Sequence, residues 1–425
     1  CSGLYCSLMD YKYYLALTSQ LPFCSVPLRI DTYSNCQFSC SYCFSKARGG
    51  APLTKSNQEI APAQLEKRLS QVSQGRISGA VDEFLARRIP VQLGGMNDPF
   101  SPWEKEGRKT LETLKILRDY QYPTLISTKN TMLAEEPYLE VLATGNFLVR
   151  ISVTAGYSES RAALEKGVPS WEDRLRAAGA LSSMGIPVSF RFQPIIFGEE
   201  DAVTGMIRLA STSGVRHISA EYLKLPIEKT SRQITYLSRS FPHMIDTYRK
   251  LNARQVGREL VLPSPIKAPG LFQLREEAIS QKMVFGFAEN EFLHLNSFHS
   301  CCNAADKFLK DANFFSSNIL GILKRQMAAD EIRFDLPDSS WVPTFSVFSH
   351  LNSRSRGSAN YAARHSPRER WVKLLQDKWN SETERGGPSN FWGISDLGKV
   401  DSDGNKTFSV DRNIIRHDAM LHDIS

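Results

Sequence analysis

The stretch Val26-Pro27-Leu28-Arg29-Ile30-Asp31-Thr32-Tyr33-Ser34-Asn35-Cys36-Gln37-Phe38-Ser39-Cys40-Ser41-Tyr42-Cys43-Phe44 decides the architecture. Its first eight residues form a short strand-like run. The chain then enters a loop that carries three cysteines within eight residues. In parallel α/β barrels the loops at the C-terminal ends of the strands form the face that carries chemistry. A strand followed at once by such a loop therefore predicts where a functional site belongs.

Working outward, strand-like runs recur at 90–95, 123–129, 147–154, 187–196 and 216–223. Helical patterns lie between them at 103–119, 136–143, 171–184 and 201–213. This alternation predicts βαβ units and a parallel sheet. Six such units predict an α/β fold, a partial (β/α)6 TIM-like barrel. Ser101-Pro102-Trp103-Glu104 reads as a capping box with Pro at the first helical position. Ser170-Trp171-Glu172-Asp173 reads as a second helix start, and Gly185-Ile186-Pro187 ends that helix and launches the next strand.

The organisation expected is a lead-in over 1–25, the barrel over 26–232, a mainly helical extension over 233–300 and an irregular C-terminal region over 301–425, assigned to substrate binding. No run of about eighteen apolar residues occurs, so no membrane span is expected. An apolar share of 41% and a charged share of 23% suit a globular chain that buries a core. The net charge of +7 permits contact with nucleic acid or other anions without requiring it. Eight unevenly spaced cysteines do not form a secreted disulfide framework. In a reducing cytoplasmic setting, clustered cysteines read as metal ligands. The chain begins at Cys1 rather than Met, which leaves an absent N-terminal segment or a lipoprotein-type start as readings.

Cys36, Cys40 and Cys43 are the candidate metal ligands. Three thiolates from one loop ligate three irons of a [4Fe–4S] cubane and leave the fourth iron open. That iron can chelate the amino and carboxylate groups of S-adenosyl-L-methionine, whose reductive cleavage gives a 5′-deoxyadenosyl radical. The competing reading is zinc, which usually takes four protein ligands and favours paired CxxC knuckles. No fourth ligand is obvious here.

Five segments give the chain a family likeness. They are Cys36–Phe44; Gly94-Gly95-Met96-Asn97-Asp98-Pro99-Phe100-Ser101-Pro102-Trp103-Glu104; Ser127-Thr128-Lys129-Asn130; Leu164-Glu165-Lys166-Gly167-Val168-Pro169-Ser170 with Arg174; and Gly185-Ile186-Pro187 leading to Gln193-Pro194-Ile195-Ile196. In these segments the chain resembles the radical SAM superfamily, and within it the group related to spore photoproduct lyase. The likeness spans about residues 26–226. It implies a radical-generating enzyme with a one-electron reductant of flavodoxin or ferredoxin type as partner. One departure is plain: the lyase's cysteine hydrogen donor lies near its second barrel strand, where this chain has Gly94–Asp98 and no cysteine.

The resemblance also implies that Gly94 and Gly95 let backbone approach the methionine amine of the cofactor, and that Lys129 pairs with its carboxylate. Asp98 either bonds the cofactor or only shapes the turn. Ser127, Ser152 and Gln193 sit at inward phases and are candidate cofactor contacts; Thr154, Arg191 and Glu221 share those phases. An ion pair with Glu165 is the plain reading of Arg174. Cys301 and Cys302 are candidate thiol hydrogen donors, ligands of a second cluster with Cys1, Cys6 or Cys24, or zinc ligands; inert buried thiols are the alternative reading. The arginines at 354, 356, 364, 368 and 370, ending at Trp371, read either as a solvated basic loop, the commoner case, or as a surface for phosphate contact and base stacking.

Two enzyme readings follow. The first is hydrogen abstraction from a nucleic-acid base or lesion; the second keeps the radical chemistry but acts on a peptide or small metabolite. A third, of another class, is a non-enzymatic protein with a structural metal.

Overall fold

The computed structural model describes residues 14–38, 40–43, 57–227, 243–257, 259–302, 307–351, 365–383 and 387–412. Cys1, Cys6, Phe44 and the arginines at 354, 356 and 364 lie outside them.

Eight strands form one sheet. In chain order they are β1 (Ala16–Leu17), β2 (Leu28–Ile30), β3 (Val91–Leu93), β4 (Thr124–Thr128), β5 (Phe147–Ala155), β6 (Val188–Ile195), β7 (His217–Tyr222) and, after the two-residue β8 (Leu225–Pro226) and the hairpin of β9 (Arg254–Val256) and β10 (Glu259–Val261), β11 (Val284–Phe287). The order across the sheet is β1-β2-β3-β4-β5-β6-β7-β11. Strands β2 through β7 and β11 run parallel, while β1 pairs antiparallel at the edge. β2 through β6 and the β7 that follows all fall on the expected windows, and the α/β partial barrel stands.

The barrel is longer by one unit than expected. β11 lies in the stretch read as mainly helical and follows the helix Ser264–Ser280. Its four residues, Val-Phe-Gly-Phe, are too short to show a period, and it takes its place by pairing with β7. A second correction concerns Ser101–Glu104. Ser101 makes no cap, and the expected helix 103–119 is broken into Glu104–Gly107 and Lys109–Asp119 by Arg108 at φ +53°. Glu104 is fully buried and holds four donors: the hydroxyls of Tyr33 (2.5 Å) and Tyr138 (2.7 Å), and the amides of Thr110 (2.8 Å) and Leu111 (2.9 Å). Local spacing mimicked a cap, but tertiary donors captured the carboxylate. The second helix start does form a capping box, with Ser170 accepting from the Asp173 amide, and the helix Trp171–Ser183 follows.

Alternation divides the strands into two faces. On β5, Val149, Ile151 and Val153 are buried in the main core beneath the helices, as are Val188, Phe190 and Phe192 on β6. Trp171 of the capped helix packs at 5.2 Å from Phe190. The opposite phase forms the barrel interior. There the register builds one row of Ser127, Arg150, Ser189 and His217 and, two residues nearer the C-terminal ends, another of Ser152, Arg191, Ser219 and Gly286.

The C-terminal chain joins the same core. Phe315 packs at 5.1 Å from Phe84, 5.5 Å from Trp341 and 5.8 Å from Trp371. Asn146 exchanges hydrogen bonds with Lys310 at the start of β5, and Asn313 bonds the carbonyls of Arg87 and Arg88 just before β3. This segment thus crosses the N-terminal end of the barrel. Trp371 corrects a sequence expectation: it is 1% exposed, and its indole donates to the Ser317 carbonyl at 2.8 Å. Burying such a ring removes about 150–250 Å² from water, about 4–6 kcal/mol at 25 cal/mol/Å². It has no face left for a base. Arg368 holds the carbonyls of Pro337 and Ser340, and Arg370 lies 4.8 Å from the Phe348 ring.

Candidate active site

The cysteine loop leaves β2 at the C-terminal edge of the sheet. Cys40 is buried, while Cys36 and Cys43 are half-buried. Burial pushes the thiols of Cys36 and Cys40 up to about 12; Asp98 adds to the rise at Cys36, and Lys129 opposes it at Cys40. Thiols held this way lose their protons to a metal cation more readily than to water. Three soft sulfur donors on one loop fit an iron–sulfur cluster. Among the described residues no three His, Cys, Asp or Glu side chains already form a closed metal cage, so the fit rests on the chemistry of the donors.

The loop is docked onto residues 164–165. The Ser41 amide donates to the Leu164 carbonyl at 3.0 Å. Tyr42 donates to Glu165 Oε1 at 2.7 Å. Lys129 Nζ reaches both the Tyr42 hydroxyl (2.7 Å) and Glu165 Oε1 (2.8 Å). Thr154 gives its amide and hydroxyl to the same oxygen. Arg174 takes Glu165 Oε2 at 2.6 Å, the ion pair expected, and also the Ser152 carbonyl. Burial alone would raise the Glu165 carboxyl, but Lys129 and Arg174 outweigh it and hold the carboxyl well below its usual range. Burial, then the Glu165 charge, keeps the Tyr42 hydroxyl protonated.

A second turn, after β3, backs the loop. Gly94 has φ +86°, and a Cβ there would stand 2.4 Å from the Ser127 carbonyl oxygen, so only glycine fits. A Cβ on Gly95 would meet Arg29 Cδ at 2.7 Å. Asp31 accepts from the amides of Met96 and Asn97. Asp98 accepts from the Thr128 hydroxyl (2.7 Å), the Phe100 amide (2.9 Å) and the Lys129 amide (2.6 Å). Trp103 donates to Asn35 Oδ1 at 2.7 Å, tying this turn to the residue before Cys36.

Cys36, Cys40, Cys43, Gly94, Gly95, Asp98 and Lys129 therefore stand at one edge of the barrel. Ser127 lies deeper and accepts from Arg150 and Gln92. Ser152 and Gln193 line the interior, and the Gln193 amide donates to Glu221. Cys301 and Cys302 stand at the other end. Cys302 packs with Val26, Leu125, Leu148 and Leu309, and a Cβ on Gly286 would meet the Cys301 carbonyl at 2.2 Å. Tyr42 and the central role of Glu165 went unread in the sequence; the aromatic beside Cys43 was the signal for the first. Arg150 also went unread, although it shares the inward phase of Ser152.

Residues 30–210 match the Radical SAM superfamily. The match defines a radical SAM domain within the chain. A radical SAM domain implies an iron–sulfur cluster, S-adenosylmethionine and an electron donor. A search of curated proteins finds no match. Among solved structures, a spore photoproduct lyase variant with bound AdoMet and dinucleoside spore photoproduct aligns at 16% identity and TM-score 0.46, covering 61% of this chain and 76% of that one. Spore photoproduct lyase complexed with dinucleoside spore photoproduct aligns at 14% identity and TM-score 0.46, covering 64% and 78%. Streptococcus suis SuiB bound to S-adenosylmethionine aligns at 16% identity and TM-score 0.36, covering 53% and 48%. Among the described residues, no helix is long and apolar enough to cross a membrane.

Proposed function

We propose that Cys36, Cys40 and Cys43 hold a [4Fe–4S] cluster at which S-adenosylmethionine is cleaved. When bound, that pair supplies reductive carbon–sulfur cleavage and a 5′-deoxyadenosyl radical for hydrogen abstraction from a substrate. The observation that carries this reading is the docking of the cysteine loop through Tyr42 onto the Lys129–Glu165–Arg174 network.

The chain's own residues perform three tasks. Glu165 stays ionised and fixes Tyr42, which sets the loop between Cys40 and Cys43. Gly94, Gly95 and Asp98 form a tight turn beside it whose backbone is the candidate contact for the methionine end of the cofactor. Lys129 neutralises Glu165 and stands near Cys40, so its remaining donor capacity is available to a cofactor carboxylate. Ser152 and Gln193 line the space beneath, where a substrate hydrogen can meet the radical away from bulk water. A flavodoxin- or ferredoxin-like protein is the proposed electron source.

The substrate proposed first is a nucleic-acid base or nucleotide. A small metabolite or peptide is the second reading, favoured by the burial of Trp371, which removes the proposed stacking surface. The test is anaerobic reconstitution followed by reduction with S-adenosylmethionine. About four irons per chain and 5′-deoxyadenosine formation are expected. A protein that binds zinc and makes no 5′-deoxyadenosine after reconstitution overturns the proposal. Deuterium transfer into 5′-deoxyadenosine from labelled nucleotides or metabolites then separates the substrates.

A further inference from the structure

Barrel interiors of this kind are ordinarily filled by Val, Ile and Leu. This one is not. Its two middle rows hold four serines, two arginines, one histidine, one glycine and a single apolar side chain, Val284. Arg29 joins them from β2. Arg29, Arg191, Ser152 and Gln193 all keep partial exposure although they face inward, so part of the interior is open, while the row of Ser127, Arg150, Ser189 and His217 forms its buried floor.

The chamber carries unbalanced positive charge. Arg150 is 2% exposed, and its partner is the Ser127 hydroxyl, at 2.8 Å from Nη2. Arg29 spends its guanidinium on the carbonyls of Val26 and Leu28 and on Cys24 Sγ. Burial first, and then the charge of Arg191, draw Arg150 down to about 9; Cys302 and Cys301 oppose the fall and Arg29 adds a smaller push. The three guanidiniums therefore share one electrostatic space. Among the described residues, Glu221 is the one carboxylate in ion-pair contact with any of them, 3.5 Å from Arg191, and it also serves Lys224 and Gln193. Asp31 feels the charge of Arg29 but spends itself on two backbone amides. Arg191 Nε and the hydroxyl of Ser219, a residue 1% exposed, are buried without partners. A buried cation with no counter-ion and donors left unmade is costly. An anion that enters the chamber removes both costs at once.

We infer that Arg150, Arg191 and Arg29, with Ser219, form a binding site for an oxyanion of the substrate, a carboxylate or a phosphate, in the middle of the barrel. The inference rests on the radical SAM reading and names the substrate class for it. The site is distinct from the cofactor end. Arg150 precedes Thr154 by four residues, about 13 Å along the strand. Thr154 is the residue that meets Tyr42 and Glu165 beside the cysteine loop. An anion held at Arg150 would suspend the rest of the substrate toward that loop. Planar guanidiniums suit either oxyanion, since both accept paired N–H donors.

The test is calorimetric titration of the anaerobically reconstituted full chain, without reductant, at constant ionic strength in chloride. The probes are inorganic phosphate and succinate, in separate arms. One of the two is expected to bind saturably, and the better one assigns the oxyanion. Arg150→Gln is expected to weaken it at least tenfold, and Arg191→Gln, further from the packed floor, gives a second reading if the first variant folds poorly. Equal binding by wild type and both variants, or no binding of either anion by wild type, overturns the inference. Displacement of the bound anion by S-adenosylmethionine also overturns it, because the arginines would then serve the cofactor. Iron content and 5′-deoxyadenosine formation in the same preparations report on the radical SAM reading separately.

Discussion

The hydroxyl of Tyr42 donates to Glu165 Oε1 at 2.7 Å, so the residue before the last loop cysteine is anchored to a carboxylate 123 positions later in the chain. Lys129 bonds both partners, and Arg174 closes the set. The cysteine loop is thus positioned by the barrel rather than by its own sequence.

Replacing Glu165 by Gln leaves Lys129 and Arg174 without their shared counter-ion. Arg174 is 2% exposed. Breaking a buried pair from one side costs about 3–5 kcal/mol. Urea unfolding of E165Q is expected to show a loss in that range, together with reduced iron loading. Wild-type stability and iron content in E165Q would refute the anchoring role.

Tyr42→Phe removes the hydroxyl's bond to Glu165 and those it accepts from Lys129 and Thr154, and keeps the ring. A loss of about 1–2 kcal/mol is expected. Iron loading should fall more than stability, since the loop loosens while the barrel stays. Absorbance near the sulfur-to-iron charge-transfer region, read beside a denaturation curve, checks this.

Ala at Cys36, Cys40 or Cys43 is expected to abolish 5′-deoxyadenosine formation and to lower bound iron sharply. Far-UV circular dichroism should stay unchanged, because the core lies in the strands and helices. Any one of the three variants that retains full cleavage removes that cysteine from the ligand set.

Glu104→Gln is expected to destabilise by about 1–3 kcal/mol, since one amide oxygen cannot serve two tyrosine hydroxyls and two backbone amides. Iron content after reconstitution should be preserved.

His294 gives the fold an acid sensitivity. Burial lowers it to about 3, with Lys324 adding to the fall and the Trp392 carbonyl, 2.9 Å from Nε2, opposing it. Its folded value lies below the unfolded value of about 6.5, so the unfolded chain binds the proton more tightly. Its contribution is complete above about pH 6.5 and is lost as pH falls from there toward 3. At pH 5 the loss is about 2 kcal/mol. His294→Gln should flatten the curve of stability against pH over that window; an unaltered slope would exclude His294 as the source.

What the sequence alone determined is what local chemistry encodes. Alternating runs marked six strands, because side chains on a strand point to opposite faces within a few residues. The thiol spacing marked the candidate ligands, because three ligands of one metal group fit on one short loop. The capped helix at Ser170 was legible for the same reason, as donor and acceptor lie three residues apart.

What only the tertiary structure decided lies between distant residues. Glu104 matched a helix cap locally but was taken by Tyr33 and Tyr138. Trp371 followed a basic run yet filled the core beside Phe315. β11 has no period of its own and exists through its pairing with β7. The charged chamber is the clearest case. Arg29, Arg150 and Arg191 sit on three strands in separate parts of the chain, and only the order and register of the strands turn them into one interior. Periodicity says which face a residue takes, but what it meets there is settled by strand order, which no local pattern carries.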